Sequence, residues 1–339
     1  MKIRCQQCGE RLDATARFCG VCGSVIADPN IGRMIGGRYT LKERLSEGSI
    51  GVVYAAEQVS LRRKLAIKLL PAEALQNPTL IERFRREGEV LCRLRSGHTV
   101  TTYEFDRDPD GTPYIAMELT AGITLAEAFR RDGAFEWPRV LRILAGLCDS
   151  LGEAHGLGVV HRNLKPENIL IEPRAGNPDF VKVLDFGLAK LLPARIDLSP
   201  VGETVGAIEF MSPEQLMSKP IDGRSDLYAL GVLGYLLVTG RHPFARARTY
   251  GDLVGAHIQI VPEPASTVRA DLSPEVDMVF ARCLEKDPDR RFPDATALAA
   301  LIGVMLSPLG FEAPQGDTLH TPIGDEDTAI APLPTKPPR

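Results

Sequence analysis

Four of the seven cysteines fall within the first 22 residues, as the pairs Cys5-Gln6-Gln7-Cys8 and Cys19-Gly20-Val21-Cys22. Ten residues separate the pairs, and Gly9 and Gly23 directly follow them. A two-residue gap lets two thiolates on one turn face the same ion, and a following glycine permits the tight backbone that such a turn needs. Four thiolates would complete a zinc tetrahedron with no open position for water or substrate, so the spacing points to a structural metal and away from a hydrolytic one. So short a segment cannot build an adequate core, and coordination would supply its folding free energy. Two disulfides are the alternative, one that a cytoplasmic chain disfavours. Cys92, Cys148 and Cys283 stand singly in helical or apolar surroundings and read as core filler.

A second set of residues suits phosphate chemistry. Leu45 to Tyr54 places Ser46, Gly48 and Gly51 between two strands, where a backbone could lie close over a polyphosphate; hairpin turn chemistry explains the same pattern equally well. Lys68 closes the apolar strand Leu65-Ala66-Ile67-Lys68, and Glu87 on the following helix could pair with it. An exposed strand lysine and a solvated helix face would give the same letters. Farther on come His161-Arg162-Asn163-Leu164-Lys165-Pro166-Glu167-Asn168-Ile169-Leu170 and Val183-Leu184-Asp185-Phe186-Gly187.

These two runs resemble the catalytic loop and metal-binding motif of eukaryotic-like Ser/Thr protein kinases. Pro113-Tyr114-Ile115-Ala116-Met117-Glu118-Leu119 and Met211-Ser212-Pro213-Glu214-Gln215 make bacterial members the nearest in pattern. The resemblance runs from Arg38 to Leu306 and implies an α+β, two-lobed protein-kinase fold, with a β-rich N-lobe and a helical C-lobe. The cysteine module ahead of it resembles a zinc ribbon. By this resemblance the cofactors are ATP, Mg2+ and structural Zn2+, the last on Cys5, Cys8, Cys19 and Cys22. Lys68 would hold the α and β phosphates, Glu87 would orient it, Asn168 and Asp185 would ligate magnesium, and Lys165 would neutralise the γ phosphate. Adenine would lie between Val53 and Ala66 above and Leu170 below, with backbone bonds at Glu118 and Thr120 just past Met117. Leu91, Tyr103, His161 and Phe186 match side chains that stack between the lobes; Asp226 should brace the catalytic loop, and Arg291 should pair with Glu214.

The sequence also departs from the family. Asn163 stands where the family has the aspartate that orients the substrate hydroxyl and accepts its proton; an amide can accept a hydrogen bond but cannot take the proton. Ser46 replaces the first loop glycine and Ser212 the alanine of Ala-Pro-Glu, both mild changes. Ala207 replaces the threonine whose hydroxyl would bond the catalytic aspartate and lysine. Two lesions in one network imply Mg-ATP binding with weak or absent phosphotransfer, a pseudokinase-like signalling scaffold. The alternatives are an active Ser/Thr kinase seen as an Asp-to-Asn variant, and a zinc-ribbon nucleic-acid-binding regulator. Arg162 is retained, so Thr204 or Ser199 is a candidate for phosphorylation by an upstream kinase.

The elements that must position these groups follow from patterning. Strand-like runs at Tyr39-Thr40-Leu41, Gly51 to Ala55 and Leu65 to Leu70 precede a helical period over Leu80 to Leu94. Pro138 to Gly156, Ser225 to Thr239 and Ser273 to Cys283 read as helices, and Thr124 with Glu127 has the spacing of a capping box. The expected organisation is a zinc ribbon at 1–26, an exposed Asp/Pro/Asn/Gly linker at 27–37, a kinase domain at 38–306 divided near 119/120, and a Pro-rich mobile tail at 307–339. The 339 residues carry 44 acidic and 40 basic side chains, net −4, which disfavours nucleic acid and acidic lipid as partners. The longest nearly uncharged apolar stretch, Tyr228 to Gly240, is too short to span a bilayer, and the N-terminus carries no signal-peptide pattern, so a cytoplasmic location is expected. ATP is the one partner the residues specify; the protein substrate and the ribbon's partner are not encoded in any motif.

Overall fold

The computed structural model describes residues 2–5, 7–13, 18–24, 28–48, 51–70, 78–186 and 208–307. Ser199, Thr204, Ala207, the tail from Pro308 and the side chain of Glu87 lie outside the described residues. At the N-terminus, β1 (Lys2–Arg4) and β2 (Arg11–Asp13) form an antiparallel hairpin. The same turn is then built twice. Gly9 N–H donates to Cys5 O at 2.9 Å and Gly23 N–H to Cys19 O at 2.8 Å, with φ of +76° and +69° that only glycine adopts without strain.

Six antiparallel strands make the N-lobe sheet: β3 (Met34–Ile35), β4 (Tyr39–Gly48), β5 (Gly51–Gln58), β6 (Arg63–Leu69), β7 (Thr102–Arg107) and β8 (Pro113–Met117), in the order β3-β4-β5-β6-β8-β7. Helix α1 (Pro78–Leu91) follows β6 in the chain. Period-two alternation puts Leu65, Ile67 and Leu69 of β6 into one cluster with Leu41, Tyr54 and Tyr114. Lys68, between them, turns to the opposite face.

The linker expectation is corrected where residues are described. Met34 and Ile35 pair with Thr40 and Tyr39, and Ile35 is fully buried. Arg33 pairs with Asp108 at 2.5 Å and Asp110 at 2.6 Å, Gly36 N–H donates to Asp108 at 2.8 Å, and Asn30 and Asp28 both bond the Tyr54 hydroxyl at 3.0 Å. Asp, Asn and Gly suggest a free connector by composition, but here their side chains and turns close hydrogen bonds onto the sheet.

The C-lobe is mostly helical. It contains β9 (Ile123–Thr124), α2 (Leu125–Asp132), α3 (Trp137–Gly156), β10 (Ile169–Ile171), β11 (Val181–Val183), α4 (Pro213–Leu216), α5 (Arg224–Thr239), α6 (Tyr250–Gln259), α7 (Ala265–Val268), α8 (Pro274–Cys283) and α9 (Ala295–Leu306). The capping box at α2 is formed: Glu127 N–H donates to Thr124 Oγ1 at 3.1 Å, and Thr124 N–H donates to the Glu127 carboxylate at 2.8 Å. Helix α5 is buried on nearly every side and forms the centre of the lobe. Arg291, fully buried, grips Glu214 through two hydrogen bonds of 2.7 and 2.8 Å, and Ser225 Oγ adds a third at 2.6 Å. Burial alone would raise the Glu214 pKa, yet the Arg291 bonds hold it below the usual carboxylate range. Removing one partner of such a pair costs about 3–5 kcal/mol.

Candidate functional site

The cleft between the lobes collects the residues singled out for phosphate chemistry. Lys68, only 4% exposed, reaches Asp185 Oδ1 at 2.6 Å, so the expected phosphate-binding lysine and magnesium ligand are direct neighbours. β4 runs farther than its sequence suggests: Ser46 pairs with Val53 and Gly48 with Gly51, so the glycine-rich segment is a hairpin continuous with the sheet. A Cβ at Gly51 would stand 2.2 Å from Leu69 O, so that position requires glycine. The register sets Val53 opposite Lys68 and Ala66 opposite Met117, which gathers the expected upper wall of the adenine slot on neighbouring strands. Leu170, the expected floor, lies on β10, opposite Lys182 of β11. At the hinge, Glu118 N–H is already committed to Thr101 O at 2.9 Å, so its carbonyl is the group it can offer to adenine.

Below the cleft, the catalytic loop is fastened from beneath. The Asp226 carboxylate, 1% exposed, accepts from His161 N and Arg162 N at 2.8 Å each and contacts His155 Nε2 at 2.8 Å. This is the brace expected of it. His161 Nε2 donates to Leu184 O at 2.8 Å while its Nδ1 accepts from Asn163 N at 3.3 Å, which assigns the neutral Nε2–H tautomer. Burial lowers its pKa and keeps it neutral. Asn168 Nδ2 donates to Asn163 O at 2.8 Å, and Leu184 N–H donates to Asn168 O at 2.9 Å. The loop is thereby tied to the segment that carries Asp185. Lys165 lies 4.0 Å from Glu167 and is partly exposed.

Of the side chains expected to stack between the lobes, Leu91, His161 and Phe186 are buried, and the last two rings lie 4.8 Å apart. Tyr103 does not join them. The pairing of β7 with β8 slips between Thr102 and Glu104, and this bulge turns Thr102 inward and leaves Tyr103 exposed beneath the Arg63 guanidinium, 3.8 Å from its ring centre. Gln215 Nε2 donates to Arg162 O at 3.0 Å, a contact the motif letters around it do not specify, and the part-buried ion pair between Lys182 and Glu118 carries no motif. The one available signal is a lysine flanked by valines in a strand bordering a motif.

In the N-terminal module the four Sγ atoms all lie within 4.8 Å of one another, with Cys5–Cys22 at 3.6 Å and Cys8–Cys19 at 3.4 Å. Zn–S bonds of about 2.3 Å give a tetrahedron with edges of about 3.8 Å, so the donor set fits one zinc ion. All four are free thiols. Ser24 Oγ stands 3.1 Å from both Cys5 Sγ and Cys22 Sγ, an outer-shell hydrogen bond of the kind that orients thiolate ligands.

A small four-cysteine module and a two-lobed nucleotide-cleft fold together define the class. Residues 39–300 match the protein kinase domain model and residues 4–26 the zinc-ribbon domain model, and the chain belongs to the protein kinase family. It is 36% identical over 314 residues to serine/threonine-protein kinase pkn3 of Myxococcus xanthus, covering 91% of this chain and 56% of that one. It is 35% identical over 278 residues to the probable serine/threonine-protein kinase PknB of Corynebacterium glutamicum, covering 80% of this chain and 42% of that one. The chain thus spans about half the length of these curated relatives. Among solved structures, the Mycobacterium tuberculosis PknI kinase domain is 26% identical with a TM-score of 0.63, covering 85% of this chain and 100% of that one. Among the described residues, no helix is long and apolar enough to cross a membrane.

Proposed function

We propose that the chain binds Mg-ATP in this cleft and transfers phosphate to protein hydroxyls weakly or not at all, serving as a pseudokinase-like signalling component. The observation that carries the reading is the Lys68–Asp185 contact at 2.6 Å, adjoining a catalytic loop whose base position is Asn163. When bound, ATP supplies the transferable phosphoryl group and magnesium neutralises its charge. Lys68 and Lys165 would hold the phosphates, Asn168 and Asp185 the metal, and the Ser46–Gly51 hairpin would cover them. Val53, Ala66, Met117 and Leu170 would enclose adenine against Glu118 and Thr120. The Asn163 amide would orient a hydroxyl without taking its proton.

Thermal shift with Mg-ATP tests the binding. Ligand at 100 times its dissociation constant stabilises by about 2.7 kcal/mol. The shift should vanish in Asp185→Ala and Lys68→Ala; no shift with millimolar Mg-ATP would refute the reading. A second reading, an active Ser/Thr kinase, draws support from the intact Lys165 and Asn168 and from the names of its relatives, because a loose transition state relies more on electrostatics than on a base.

The ribbon, 1–26, would hold one structural zinc, which suits a reducing cytoplasmic setting. Metal analysis of protein purified without chelator should find one zinc per chain; Cys5–Cys8 and Cys19–Cys22 disulfides with no zinc would overturn this. An upstream kinase acting on Thr204 or Ser199 completes the proposal, with Arg162 as the group that reads the phosphate. Phosphorylation of the chain in its native cell is the corresponding observation.

A further inference from the structure

We propose that Lys182 is a positioning residue for the nucleotide cleft, holding the hinge in place through its ion pair with Glu118. The inference rests on the nucleotide reading above and adds a residue that no motif marks. Lys182 is 3% exposed on β11, three residues before Asp185, and its ammonium contacts the Glu118 carboxylate. The same Glu118 oxygen accepts from Thr101 N–H at 2.8 Å, and Glu118 N–H donates back to Thr101 O at 2.9 Å. Glu118 is therefore clamped by both backbone and side chain, with Lys182 closing the clamp.

The other end of the lysine is equally fixed. Val183 N–H donates to His98 O at 2.8 Å, Val100 N–H donates to Val183 O at 3.0 Å, and Lys182 Nζ lies 3.5 Å from Thr99 O. The segment 98–101 thus joins the hinge to the strand that leads into Asp185. Directly opposite residues of an antiparallel pair share a face, so Lys182 stands beside Leu170, the floor of the adenine slot. A lysine buried only for packing would be better served by an apolar residue of its size, since desolvating the charge is costly. What an ion pair adds is a fixed distance between Glu118 and β11, and hence a fixed height of the Glu118 carbonyl above Leu170.

The test compares the full chain with Lys182→Met, Glu118→Gln and the double variant, by hydrogen exchange without nucleotide and by the affinities of adenosine and Mg-ATP. Lys182→Met should speed exchange at the Thr101 and Glu118 amides. It should weaken adenosine and Mg-ATP by the same factor, about tenfold, equivalent to about 1.4 kcal/mol. Asp185→Ala, by contrast, should weaken Mg-ATP and spare adenosine. If Lys182→Met fails to fold, the double variant, which leaves no orphan charge, should melt near the parent temperature and still bind adenosine poorly. Unchanged amide exchange, or parent-level adenosine affinity in either variant, would overturn the proposal. A parent chain that binds neither adenosine nor Mg-ATP would refute the nucleotide reading instead, and the exchange experiment would still decide whether Lys182 holds the hinge.

Discussion

Asn163 lies in a loop whose backbone is held under strain by its neighbours. Arg162 and Asp185 have φ of 66° and 52°, a left-handed region that costs non-glycine residues about 1–3 kcal/mol. Asp226 secures the Arg162 amide and Lys68 the Asp185 carboxylate, so the unusual conformations sit where the surroundings over-determine them. A second residue-scale consequence concerns acid stability. His257 is buried against Tyr228, with its Nδ1 2.9 Å from the hydroxyl. Burial, then the nearby His242 and Lys286, pulls its pKa from 6.5 to about 3. The unfolded chain therefore takes up the proton first. The stability His257 contributes is whole above pH 6.5 and is lost as pH falls toward 3. Between about pH 6.5 and about pH 5 the loss is about 2 kcal/mol. Burial lowers the pKa of His98, His161 and His242 in the same direction. The urea midpoint should fall over that range, before most carboxylates titrate, and His257→Leu should flatten part of the slope; a midpoint independent of pH there would contradict this.

At the scale of elements, the strap that follows the ribbon is the main addition to what patterning suggests. Its single buried anchor, Ile35, is worth about 1.5–3 kcal/mol. A chain beginning at residue 37 should therefore melt several degrees below one beginning at residue 28, since about 1 kcal/mol moves a domain of this size by about 2–4 °C. Equal melting temperatures by calorimetry would show that β3 adds nothing. Long helices are the most readable elements: Ser225 to Thr239 and Pro138 to Gly156 differ from α5 and α3 by one residue at the start. Helix α6 is harder to read, because Gly251 and Gly255 dilute its period and its start signal, Thr249 capping Asp252, is brief. The motif residues Lys68, Asn168 and Asp185 are legible because the phosphate and metal chemistry proposed for them would restrict residue type at fixed spacing. The Lys182–Glu118 pair is not, because its partners are 64 positions apart and only the folded register brings them together.

For the whole molecule, two modules with different sources of stability share one chain. The C-lobe rests on a continuous apolar core from Leu125 to Leu306 that also takes in Leu91 and Leu94 of the N-lobe, whereas the described residues of the ribbon bring four thiols together. The cleft brings together the residues proposed for nucleotide and metal and, at Asn163, carries an amide where a carboxylate would be needed to receive a proton. The most direct measurement is intact mass of the protein incubated with Mg-ATP, followed in time beside Asn163→Asp. The parent chain should remain at its starting mass while Asn163→Asp gains phosphate at a rate at least about 10²-fold higher, the lower end of what a general base contributes. Phosphate incorporation by the two proteins at equal rates would contradict the account.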